Sequence, residues 1–375
     1  MAAKAMRAAL AARIERWRFG RALGLIAAVG LVLRLALGWG HGTADYRAEG
    51  YALYWELARN LAAGHGYVVA AGEPTGFRVP GYPLFLLGVT GGDWHPWALV
   101  AAQALIGALT VVATGLIART LFEDGAGLIA AGICALYPYY LWHDTALQET
   151  ALVTCVTAWA TLVLLRLARS GTLRLALLAG ALLVLAVLTR ETMLPFALSA
   201  ALWAGWRVAS LAGTARGVLT GASVLAVLAA GLAPWLMHNH RVYGEYALGG
   251  EFGAALYAGS DPLLFSSFPD GSVDISRDRI FAALPARPAL AGAEPLAVDH
   301  WLRERAVARI SADPVSFAGR FARKVWIAFR PLPSPLHGML ANLAYAFVWV
   351  PLLLLGLAGL WHSRSEWRRD TLFYA

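Results

Sequence analysis

HGTADYRAEGYALYWELARNLAAGHGY (residues 41–67) and GEPTGFRVPGYPLF (72–85) form one polar, aromatic segment, His41 to Leu87, lying between two hydrophobic spans. It carries Asp45, Glu49, Glu73 and Arg78 among several tyrosines, in a chain that otherwise avoids charge. Ionisable groups held at a membrane surface by flanking apolar helices are where chemistry concentrates. Within the segment Tyr51, Tyr54, Trp55, Ala58 and Leu61 recur at helical spacing, with Glu56, Arg59 and Asn60 on the opposite face. This spacing predicts an amphipathic helix over 48–63, stopped at Gly64 and lying on the bilayer surface.

Outward from this segment the chain is apolar. Of its 375 residues 59% are hydrophobic and 14% charged, against roughly 25% charged in soluble proteins. Apolar runs near or above the ~18-residue threshold recur from end to end, which makes the chain a polytopic, all-α membrane protein. The first span covers Arg21–Trp39. A cleaved signal peptide is the alternative reading, but the apolar core is long for one, and a retained anchor is expected. Arg34 interrupts this span near its far end and is expected to snorkel to the outer interface. Later spans fall at Trp97–Ala118, Gly125–Trp142, Ala146–Leu167, Leu173–Thr189, Thr192–Trp206, Val218–Met237 and Met339–Trp361, giving about eight crossings. The fifth and sixth meet at Arg190-Glu191 and could form a hairpin or be partly re-entrant.

The net charge of +8 does not indicate a nucleic-acid partner, because the basic residues form no single patch. They lie in the N-terminal tail (Lys4, Arg7, Arg13, Arg16, Arg18, Arg21) and in short turns at Arg119, Arg166, Arg169, Arg174, Arg207 and Arg216. The positive-inside rule then places residues 1–20 and 363–375 in the cytoplasm as tails, with a transmembrane domain over 21–362 and outer loops at 40–96 and 238–337. In the second loop Leu302, Ala306 and Ile310, then Phe317, Phe321 and Val325, recur every four residues around Asp313-Pro314, which has N-cap and first-turn chemistry. Two further surface helices are expected there, with 266–295 an irregular loop. Cys134 and Cys155 lie within spans and have neither metal nor disulfide spacing, as small packing residues would.

No GxxxxGK[ST] motif occurs, and GWGHG at 38–42 is a glycine cluster without a preceding strand. A membrane enzyme lacking a nucleotide site needs a substrate already activated in the lipid phase, which points to lipid-linked donors. At this point the residues resemble a family. YWELARNLAAGHGY (54–67) followed by PTGFRVPGYPLF (74–85) looks like the first outer loop of the GT-C membrane glycosyltransferases, near the bacterial relatives of protein O-mannosyltransferases and the lipid A aminoarabinose transferase. YPYYLWHDTALQETAL (137–152) resembles that family's proline–aromatic turn and following Glu, LTRETMLPF (188–196) its Leu-x-Arg turn, and PWLMHNHRVYGEY (234–246) with GAALYAGSDP (253–262) its Pro-Trp motif. The order and spacing of these pieces, over about residues 20 to 330, are more specific than any one of them. His238 stands where that last motif carries an arginine.

The resemblance implies a polyprenyl-phosphate sugar as donor, a lipid, glycan or protein as acceptor hydroxyl, and inversion at the outer face of a bacterial inner membrane. It makes Asp45 the candidate base, with Glu49 the rival, and Arg78 the donor-phosphate ligand beside Tyr82. Glu149 is the second acidic group, near Asp144 and His143, where a divalent cation could join. Tyr82 and Tyr51 are residues more often found in interfacial belts than as ligands, and the rival role for Asp45 is a helix N-cap. The assignment is chemically sound: a hydroxyl attacks poorly until a carboxylate takes its proton, and a leaving phosphate is gripped by a planar guanidinium. Two other classes remain open, a transporter or flippase for lipid-linked sugars and a non-catalytic scaffold of envelope assembly. A transporter would carry charges near the bilayer midplane, whereas here they gather at the outer rim.

Overall fold

The structure, a computed structural model, describes residues 2–41, 50–69, 72–250, 252–267, 273–284, 295–330 and 338–362. The described residues form helices joined by short turns, with one isolated β-bridge, Val68 to Pro74. In order they are α1 (Ala2–His41), α2 (Gly50–Ala62), α3 (Gly81–Thr90), α4 (Pro96–Leu121), α5 (Asp124–Leu136), α6 (Pro138–His143), α7 (Thr150–Ser170), α8 (Leu173–Thr189), α9 (Leu194–Ala212), α10 (Thr214–Tyr243), α11 (Phe252–Ser260), α12 (Val273–Ala282), α13 (Pro295–Ala312), α14 (Pro314–Ala328) and α15 (Met339–His362). The protein is an all-α, multi-pass membrane protein. Five stretches are long and apolar enough to cross a membrane: Trp17–Gly40, Pro96–Leu121, Thr150–Ser170, Thr214–Tyr243 and Asn342–His362. Shorter apolar helices accompany them at Gly81–Thr90, Asp124–Leu136 and Leu173–Thr189.

The chain divides into two compact units, Met1–Leu248 and Gly249–Ala375. In the first, α4 packs on α1, α5 and α7, while α8 and α9 pack on α10. Phe19, Leu23 and Ala27 of α1 bury against Val111, Ala131 and Cys134, so the first span is built into the bundle. Lipid tails are as apolar as leucine, so close packing rather than water exclusion must hold such helices together. Glycines supply it. A Cβ on Gly217 of α10 would stand 2.5 Å from the carbonyl oxygen of Gly205 on α9, and one on Gly127 of α5 would stand 2.8 Å from that of Gly115 on α4.

The basic turns gather at one end of this bundle. Arg119 pairs with Asp124 at 2.7 Å and lies over the ring of Phe19. Arg169 donates to the carbonyl of Thr120, and Arg216 to that of Ser170. Arg34, Glu149 and Arg190 lie toward the opposite ends of α1, α7 and α8.

Four details differ from the reading of the sequence. The span Gly125–Trp142 breaks at Tyr137, which is extended (φ −65°, ψ 117°) ahead of Pro138, because proline clashes with a helical residue before it. The stripe of α2 faces protein, not lipid: Tyr54 and Ala58 pack with Tyr82 and Leu86, and Leu57 with Tyr67 and Trp235. Arg34 does not snorkel. It is fully buried, with Nε 2.7 Å from Asp144 Oδ2 and Nη1 donating to the carbonyls of Gly30 and Ala135. Finally, residues 273–282 of the expected irregular loop are helical.

In the second unit Leu302 and Ala306 of α13 bury against Tyr257, Leu264, Phe265 and Ile280. Residues of α13 and α14 cap both ends of α11: Asp299 accepts from the amides of Gly253 and Ala254, while Lys324 donates to the carbonyl of Gly259 and Arg309 to that of Tyr257. Asp313 caps α14 by accepting from the Ser316 amide, as its sequence predicts. The end of α14 meets α15, where the Trp349 indole donates to the Phe329 carbonyl.

Candidate active site

Arg78 sits on a short segment whose backbone is held on several sides. The Tyr67 hydroxyl donates to the Arg78 carbonyl at 2.8 Å, and His238 of α10 bonds the Thr75 carbonyl at 2.9 Å. The Gly76 amide donates to the Tyr243 hydroxyl at 2.7 Å. Gly76 itself lies against Asn239, and a Cβ there would stand 2.7 Å from the Tyr243 ring. The family-like run around Pro80 then turns into α3. Gly81 is needed there, since a Cβ would stand 2.5 Å from the carbonyl oxygen of Leu188 at the end of α8. Two residues beyond Leu188 comes Arg190, extended as it leaves α8. His238 thus helps to fix the loop that carries Arg78.

Glu149 stands at the start of α7, where a negative charge is favoured by the helix N-terminus. Its Oε2 accepts from the Tyr54 hydroxyl at 3.0 Å, and its Oε1 lies 3.8 Å from Arg190 Nε, an ion pair rather than a hydrogen bond. The Arg78 guanidinium lies 5.7 Å from the Tyr54 ring centroid, within cation–π range. Tyr54 is therefore the meeting point of three charges. Burial first, then the nearby Glu149 carboxylate, pushes its phenol above the ordinary range, while Arg78 and Arg190 pull the other way. The phenol stays protonated and remains a donor. Tyr67 is pushed up likewise by burial and then by Tyr54.

The other sequence-derived candidates are placed as follows. Asp45 and Glu49 lie outside the described residues, as does the Tyr51 side chain. Tyr82 is fully buried one layer behind the cluster. Its hydroxyl donates to Gln103 Oε1 at 2.5 Å, and its ring meets that of Tyr54 edge-on, centroids 5.1 Å apart. Asp144 pairs with Arg34. Among the described residues no group of three His, Cys, Asp or Glu side chains could hold a metal ion, so His143, Asp144 and Glu149 form no such group.

Residues 84–238 match the family described as dolichyl-phosphate-mannose-protein mannosyltransferase. Over that stretch, less than half of its length, the chain is similar to that family. A comparison with curated proteins gives no match. The matched stretch runs from α3 to α10 and takes in Glu149 and Arg190, while Tyr54 and Arg78 precede it. Sequence reasoning placed Tyr54 in an apolar stripe and at the head of a family-like run, and Arg190 in a family-like turn, without giving either a role in the site. The second had a signal of its own, a charge between two apolar helices. Gln103 passed unmarked, and a lone amide inside an apolar span was the clue.

Proposed function

We propose that the protein transfers a sugar from a polyprenyl-phosphate donor to an acceptor hydroxyl at the outer face of a bacterial inner membrane, inverting the anomeric carbon. The observation that carries this reading is the convergence of Glu149, Arg78 and Arg190 around Tyr54, opposite the end where the basic turns gather. A guanidinium pair beside one carboxylate suits a phosphate leaving from a sugar. Arg78 grips the donor phosphate, with Arg190 adding charge from its half-exposed position. Glu149, oriented by Tyr54, orders the donor sugar.

The reaction is a single displacement. The acceptor oxygen attacks the anomeric carbon, the bond from that carbon to the phosphate oxygen breaks, and its electron pair leaves on the phosphate held by Arg78. The acceptor proton passes to Asp45, or to Glu49 in the rival assignment. General-base help of this kind is worth about 10²–10⁴-fold. A lipid, glycan or protein hydroxyl serves as acceptor.

The test is release of polyprenyl phosphate by purified protein from a panel of polyprenyl-phosphate sugars, with lipid, glycan and peptide acceptors. Release that depends on acceptor, with an inverted product, supports the reading. Movement of a lipid-linked sugar across vesicles with no release would replace it with the transporter reading.

A further inference from the structure

Glu149 ends a turn, residues 144–149, whose other attachments lie deep in the bundle. Gln103 of α4, only 1% exposed, uses its whole amide on them. Its Nε2 donates to the carbonyl of Asp144 at 3.2 Å and to that of Ala146 at 2.5 Å, while its Oε1 accepts from Tyr82 at 2.5 Å. The Asp144 side chain is pinned from a third helix by Arg34. Gly107, one helical turn along α4 from Gln103, makes room for that ion pair: a Cβ there would collide with Arg34 Nε and stand 2.5 Å from Asp144 Oδ2. Leu147, in the middle of the turn, is buried in the core with Tyr54 and Tyr82. One turn of chain is thus fixed to α1, α3 and α4 at once, and Glu149 is its last residue, at the start of α7.

We propose that Gln103 and the Arg34–Asp144 pair are positioning residues, which hold the 144–149 turn so that Glu149 meets Tyr54 and Arg190. None of the three touches the donor. The inference rests on the sugar-transfer reading for its effect on rate, but not for its effect on the turn. A buried amide with two donations and one acceptance committed is hard to replace, because each carbonyl left unpaired in an apolar interior costs about 1–3 kcal/mol. An apolar side chain of similar length fills the space but removes the bond to the Asp144 carbonyl, the bond to the Tyr82 hydroxyl, and one of the two that reach the Ala146 carbonyl, which keeps the Gln148 amide.

The experiment compares wild-type full-length protein with Gln103→Met, and with the milder Gln103→Asn should the first fail to fold. Two readouts are taken. Hydrogen exchange should quicken in the amides of 144–150 and leave those of α8–α10 as protected as before. Turnover should fall about 10- to 100-fold, the penalty of a small misplacement, with donor KM within a few-fold. In a Glu149→Gln background the same substitution should cost little further rate, because residues acting through one group are not additive. Unchanged exchange across 144–150 would overturn the proposal, as would an undiminished rate loss in the Glu149→Gln background. Full transfer by Glu149→Gln itself would instead remove Glu149 from the reaction, with the exchange result still reporting whether Gln103 holds the turn.

Discussion

Tyr54 and Glu149, 95 residues apart in sequence, share a 3.0 Å hydrogen bond that joins the first outer segment to the start of α7. A hydrogen bond to a charged group contributes about 1.5–3 kcal/mol. If Glu149 must be oriented for reaction, Tyr54→Phe should lower turnover about 10- to 100-fold. The phenol is held above its ordinary range by burial and by Glu149. It therefore stays protonated through mildly alkaline pH, and the alkaline limbs of the wild-type and Tyr54→Phe rate profiles should coincide. A wild-type limb below pH ~10 that disappears in the variant would count against this.

Arg78 should act on the donor. Arg78→Ala should weaken binding of polyprenyl phosphate, and Arg78→Lys should do so less, because lysine keeps the charge and loses the planar two-point grip. Equilibrium binding of labelled lipid to purified variants measures this. Wild-type affinity in Arg78→Ala would take the residue out of the site.

Asp45 and Glu49 are separated by chemistry rather than by geometry. Asp45→Asn nearly keeps shape, so it should spare donor binding and remove about 10²–10⁴-fold of the rate, while Glu49→Gln stays within a few-fold of wild type. An active Asp45→Asn beside an inactive Glu49→Gln would exchange the two roles.

The Arg34–Asp144 pair is fully desolvated on the arginine side. Arg34→Met leaves a buried carboxylate without its partner and should destabilise the protein by about 3–5 kcal/mol. Arg34→Met/Asp144→Leu should recover much of that loss in thermal unfolding in detergent. Turnover should not recover with it, since the turn would still lack its pin.

The topology can be checked with thiols, as both native cysteines are buried. In intact cells an impermeant reagent should modify Ser316→Cys and spare Ser170→Cys. The reverse pattern would put the candidate site on the cytoplasmic side.

The sequence made some of this legible and hid the rest for identifiable reasons. The Asp313 cap of α14 and the stop of α2 near Gly64 are local features, and local chemistry decides them. The stripe on α2 was visible as a period, but a period does not say whether lipid or protein will cover it, and Tyr82 and Leu86 cover it here. Arg34 was misread because its partner lies 110 residues away, across a helix made thin by Gly107. Arg78 and Glu149 were named from motif resemblance. Tyr54, which links them, opens one of those motifs, but nothing in the motif shows that its hydroxyl reaches Glu149.

The contact at Gly81 bears on how the protein meets membranes of different thickness. Bilayers vary by a few ångströms, and spanning helices answer by tilting. Tilt moves the far ends of helices most and their points of contact least. Gly81 sets the start of α3 directly on the backbone at the end of α8, with Arg78 just before that contact and Arg190 just after it. The two guanidiniums are carried at a pivot, so their spacing should be largely insulated from acyl-chain length, and transfer rates in vesicles of short and long lipids should differ far less than the tilt of α8 does.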